Sequence, residues 1–211
     1  MVPEDTAVGA DPSRPEDGMS WLARLLGRSA EPLRLHGVAV ELQNSRPDID
    51  DAVVLERLDE ALGLIARYAP ARLRHLQRDV RGIRVMRFPT RGAYFPDERI
   101  ILTELTFLAR RDMPASPVAS SILHESVHAR VHAFRQRVGG RSSAPDDMAR
   151  EERLCRRAEL AFGRALPPDL GAPVVERAMA SLALQDADVA PVVDWTLAAE
   201  RQRAVDEGHT H

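Results

Sequence analysis

His124-Glu125-Ser126-Val127-His128 sits inside a segment that is punctuated as a single long helix. Ser116 followed by Pro117 reads as an N-cap and first-turn pair, and Gly139-Gly140 ends the pattern. Between them Leu123, Val127, Val131, Phe134 and Val138 recur at helical spacing and form an apolar stripe that should face a core. At about 100° per residue, two histidines four positions apart lie roughly 40° apart on one face. His124 and His128 therefore stand together along the edge of the stripe, between core and cleft, while Glu125 points towards the open side.

Those residue types at that spacing point to metal-assisted hydrolysis. Zinc takes imidazole nitrogens as ligands, and a glutamate beside the first histidine can take a proton from a water that the metal has made acidic. A tetrahedral catalytic zinc needs a third protein ligand and leaves its fourth position to water. His132 continues the series, but three histidines on one straight helix rise about 6 Å per step and do not converge readily on one ion. The longer pattern with Gly seven residues and His ten residues after the first histidine is excluded, because Val131 and Phe134 stand there. A glutamate from the following helix remains. Glu152 lies 24 residues after His128, enough to finish one helix, turn and return antiparallel, with Glu151 and Glu159 as alternatives. Whichever two do not ligate should pair with neighbouring arginines.

The rest of the chain reads as follows. Residues 1–18 are rich in Pro, Asp, Glu and Gly and are expected to be disordered, with a short amphipathic piece from Trp21 to Leu26 after them. Residues 35–42 form a strand candidate, with His36 on its exposed side. Residues 49–68 read as a helix capped by Asp48 or Asp50, with Val54, Leu58, Ala61, Leu62 and Ile65 inward. A shorter helix over 70–79 carries Leu73 and Leu76, with His75 on a solvated surface. Residues 83–88, 93–95 and 99–103 alternate as strands around a turn at 89–92, giving a small antiparallel meander just before the motif helix. Ser143-Ala144-Pro145-Asp146 opens the next helix, which Pro167-Pro168 stops. Helices over 173–185 and 191–205 complete the core, and 207–211 form a frayed tail. Cys155 falls beside Phe162 and Leu166 on the wheel and reads as a small buried residue rather than an activated thiol. Tyr94 is either a packing residue or a donor to a developing oxyanion; His132 is either a support of the site or plainly exposed.

The pairing of His124-Glu125-x-x-His128 with a downstream helix Glu152-Arg153-Leu154-Cys155 resembles the gluzincin type of zinc metallopeptidase, in particular small bacterial ones. The resemblance covers residues 83–166. It implies a zincin-like domain over 19–206, one zinc per chain, the ligand set His124, His128 and Glu152, and Glu125 as general base. It also implies a peptide or protein substrate lying along the edge of the meander. The Glu-x-x-x-Asp form of the second motif is not met, since Arg156 occupies the Asp position.

Composition sets the outer bounds. The chain has 211 residues, 44% hydrophobic, which suits one α+β domain, mainly helical, with a real core. A formal charge of −3 gives no general attraction to nucleic acid or to an anionic membrane. All 29 basic residues are arginine, a bias best ascribed to base composition. One cysteine makes no internal disulfide, and no secretory signal or membrane-length apolar run is legible, so a cytoplasmic protein is expected. The competing expectation is a zinc-containing regulatory or interaction protein on the same fold that turns nothing over.

Overall fold

The computed structural model describes residues 33–139, 145–189 and 195–208. The expectations for 1–18, for Trp21 to Leu26, for the Ser143 cap and for 209–211 lie outside the described residues.

Two short strands open the described chain, β1 (Leu33–Leu35) and β2 (Val38–Gln43), paired antiparallel. The sequence suggested one continuous strand here. It is broken because His36 (φ 47°) and Gly37 (φ 77°) both take the left-handed conformation of a tight two-residue hairpin turn. Gln77 Nε2 donates to the His36 carbonyl at 2.8 Å and pins that turn.

Helices α1 (Asp51–Tyr68) and α2 (Pro70–Asp79) then cross over to β3 (Gly82–Met86). Asp50 caps α1, accepting from the Ala52 amide at 2.8 Å. The five apolar positions expected to face inward on α1 are all buried. His75 departs from expectation: it is half-buried, and its Nδ1 has no hydrogen-bond partner among the described residues.

Strand β3 runs parallel to β2, in the register Val40↔Ile83. Gly82 is required at the start of β3, since a Cβ would lie 2.7 Å from the Ala39 carbonyl oxygen. Strands β4 (Gly92–Phe95) and β5 (Ile100–Glu104) follow, and the sheet order is β1-β2-β3-β5-β4. The sheet is mixed, not the antiparallel meander expected. β5 inserts between β3 and β4, parallel to the first and antiparallel to the second. Burial explains the order. Ile101, Leu102, Thr103 and Glu104 of β5 are all buried, as suits an inner strand, whereas every residue of β4 is only half-buried and takes the edge.

After a short helix α3 (Leu105–Ala109) comes the motif helix α4 (Ser116–Arg137). Ser116 is not its N-cap. It is the first helical residue, fully buried, and its hydroxyl donates to the Leu170 carbonyl at 2.6 Å. The apolar stripe also fails in its second half: Leu123 and Val127 are buried, but Phe134 is 57% and Val138 61% exposed. The reason lies in position. The N-terminal half of α4 is enclosed by α1, α2, β4, β5 and the helices that follow, so Ala119, Ser120, Ser121, Ser126 and Ala129 are buried as well. The last two turns extend towards solvent.

Helix α5 (Pro145–Ala165) returns antiparallel to α4, and α6 (Pro168–Leu182) packs against α5. α6 starts five residues before the expected 173, with Pro173 inside it. Pro168 is itself a favoured first-turn residue. The close crossing with α5 also needs the first turn: a Cβ on Gly171 would lie 2.2 Å from the Gly163 carbonyl oxygen. Helices α7 (Asp186–Val189) and α8 (Trp195–Gly208) complete the described chain. Among the described residues no helix is long and apolar enough to cross a membrane.

Candidate metal centre

Two antiparallel helices build the site. α4 supplies His124, Glu125 and His128; α5 supplies Glu151, Glu152, Cys155 and Glu159. Contacts run in opposite senses along the pair, from Arg135 with Glu151 at one end to His124 with Glu159 at the other.

Each imidazole is held at its Nδ1. His124 Nδ1 lies 2.6 Å from Glu159 Oε1, and His128 Nδ1 lies 2.7 Å from Glu151 Oε1. A neutral imidazole that gives its Nδ1 proton to a carboxylate has only a lone pair at Nε2. Both Nε2 atoms face the same point, 3.1 Å apart. Glu152 completes the set, with Oε2 3.3 Å from His124 Nε2 and Oε1 3.1 Å from His128 Nε2. Cys155 Sγ approaches from the buried side, 3.5 Å from His128 Nε2.

Further residues fix the glutamates. Arg135 Nη1 donates to Glu151 at 2.5 Å. Arg156 and Arg177 donate to Glu159 at 2.9 and 3.0 Å, and Glu159 is fully buried. Carboxylates that seat the far nitrogen of a metal-binding imidazole, and are themselves anchored, are the usual outer support of such a site.

Electron-rich atoms facing one another need positive charge between them. The same contacts set the direction in which these groups titrate. Burial works against charged His124 and His128, yet both are pushed above 6.5, His124 by Glu152 and Glu159, His128 by Cys155, Glu151 and Glu152. Burial alone would raise the Glu152 and Glu159 carboxyls; contact with the histidines outweighs it, and Glu159 falls to about 2. Glu125, by contrast, is raised, chiefly by burial. The Cys155 thiol is likewise raised by burial.

His124, His128 and Cys155 each offer one ligand atom, all within 4.8 Å of one another, and this cluster can hold a metal ion.

The open side is a cleft of about 550 Å³ lined by Gly92, Tyr94, Glu125, His128, His132 and Glu151, among others. Edge strand β4 forms one wall. It comes this close because residue 92 is glycine: a Cβ there would lie 3.1 Å from Ser121 Oγ and 3.4 Å from Glu125 Cγ.

The structure thus brings together His124, His128 and Glu152, with Glu125 at the cleft beside them. Glu151 and Glu159, the alternatives for third ligand, instead sit on the two Nδ1 atoms. His132 does not join the cluster; its ring lies 6.0 Å from that of Tyr94, and its Nε2 is 2.9 Å from Gln136 Nε2. Cys155 is buried as expected, but its place against His128 was missed, although its position one turn after Glu152 on the same face could have revealed it. Arg177 was also missed, and nothing in the sequence connects it to Glu159 before α6 is placed.

No family model, curated protein or solved structure matches the chain.

Proposed function

We propose that this chain is a zinc-dependent hydrolase of the gluzincin type, acting on peptide bonds, with His124, His128 and Glu152 as ligands of one zinc and Glu125 as general base. The observation that carries the reading is the seating of both Nδ1 atoms on carboxylates, which turns two Nε2 lone pairs and the Glu152 carboxylate onto one point. Zinc in that seat would supply acidification of water and polarisation of a substrate carbonyl.

The chain's own residues do the rest. Glu159 and Glu151 hold the two rings in the ligating tautomer. Glu125, raised above an ordinary carboxyl, is suited to accept a proton from the attacking water and return it to the leaving nitrogen. β4 offers an exposed strand edge along the cleft, where an extended peptide can add by backbone hydrogen bonds.

The test is hydrolysis of a mixed peptide library by zinc-loaded protein, with Glu125→Gln alongside. Cleavage by wild type, lost in a variant that keeps its metal, is the expected result. No cleavage by wild type carrying bound zinc would favour a second reading, a regulatory or interaction protein that keeps the metal and turns nothing over. The approach of Cys155 Sγ to His128 is the observation in favour of that second reading, since a thiolate in the fourth corner would leave no place for water.

A further inference from the structure

We propose that Cys155 is a fourth protein ligand, bound as thiolate from the core side, so that the resting metal is held by four protein atoms. The inference rests on the metal-binding reading above and goes beyond its three-ligand set.

Three observations lead to it. Cys155 Sγ stands 3.5 Å from His128 Nε2, which matches the N–S edge of roughly 3.5 Å expected when both bind one tetrahedral zinc. Sγ also lies within 4.8 Å of the ligand nitrogen of His124, so it shares the cluster rather than touching one member of it. Cys155 follows Glu152 by three residues on α5, and side chains at that spacing share a helix face.

The direction of approach sets its role. Glu125 and His128 line the cleft, whereas Cys155 has 0% exposure and is absent from the cleft wall. The thiolate therefore closes the coordination from behind, and substrate arrives from the opposite side. A gluzincin-type site keeps a corner for water; a thiolate bound beside His124, His128 and Glu152 would take that corner of a tetrahedral zinc, as the second reading above requires. Cysteine also changes the metal preference, since a soft thiolate favours zinc over hard oxygen-seeking cations.

The experiment is cobalt(II) substitution of the full chain, read by absorption spectroscopy. Visible d–d bands report binding at the site, and a near-ultraviolet sulfur-to-cobalt charge-transfer band reports the thiolate. Both are expected in wild type, with the charge-transfer band lost and the d–d bands kept in Cys155→Ala. X-ray absorption at the zinc edge of the wild-type protein gives the same answer without a variant, as one sulfur neighbour. Cobalt bound with d–d bands but no charge-transfer band, or zinc without a sulfur neighbour, overturns the Cys155 proposal and leaves the three-ligand site standing. Failure to bind cobalt or zinc at all overturns both.

Discussion

Glu159 Oε1 lies 2.6 Å from His124 Nδ1, and that contact fixes which nitrogen of His124 is free to bind a metal. Glu151 does the same for His128 at 2.7 Å. On the proposed ligand set, two carboxylates outside it decide what the ligands can do. Replacing either by glutamine should weaken zinc binding by about 10- to 100-fold while leaving His124, His128 and Glu152 in place. Competition against a chromogenic chelator measures this. Unchanged affinity in both variants would remove the orienting role.

Glu125→Gln separates chemistry from binding. Loss of a positioned general base costs about 10²- to 10⁴-fold in rate. The variant should retain zinc at the wild-type level and lose peptide hydrolysis by that factor. A variant with full activity would take Glu125 out of the mechanism.

The site also links stability to pH in a way that depends on metal. Without metal, folded His124 and His128 bind protons more tightly than their unfolded value of 6.5. The stabilisation is fully present below pH 6.5 and declines as pH rises past it towards the folded values. Glu152 and Glu159 are lowered from 4.5, so their contribution is present above that value and is lost as pH falls, for Glu159 down to about 2. From these four groups metal-free protein should be most stable between pH 4.5 and 6.5, with the raised Glu125 carboxyl trimming that maximum as pH climbs above 4.5. Zinc at the proposed site would take the place of the histidine protons, so the loaded protein should show no decline above pH 6.5. Thermal unfolding in chelator and in zinc, across pH, gives both curves; a metal-free curve that rises above pH 6.5 would contradict the assignment.

Gly92 lets β4 lie against α4, since even a Cβ there meets Ser121 Oγ at 3.1 Å. Gly92→Val should cost about 1–3 kcal/mol by overpacking and lower hydrolysis by displacing Glu125. Denaturant unfolding and the peptide assay check the two effects. A variant of wild-type stability and activity would show that this contact is slack.

Local signals in the sequence carried far where local physics decides the structure. The Val54 to Ile65 stripe is read correctly, and the cap is narrowed to Asp48 or Asp50, of which Asp50 caps, because periodicity and capping act within one helix. Strand pairing is not of that kind. Nothing within residues 92–104 says that β5 slides between β3 and β4, because the choice depends on which strand the rest of the molecule buries. The exposed Phe134 and the buried serines of α4 fail for a similar reason: a central helix is covered on all sides, so its stripe no longer marks its inner face. At the site, the His124/His128 pair is legible from spacing alone. The division of labour among Glu151, Glu152 and Glu159 is not, because all three share one helix and side-chain direction distinguishes them only once α5 is docked. Cys155 reads as packing in isolation, and its approach to His128 appears only once α5 is docked.

Metal analysis of the untagged protein beside Glu152→Ala asks whether His124, His128 and Glu152 hold one zinc. About one zinc per chain is expected in wild type, with binding weakened at least about tenfold in the variant. Wild-type protein without zinc, or a variant that binds it as tightly as wild type, would contradict that ligand set.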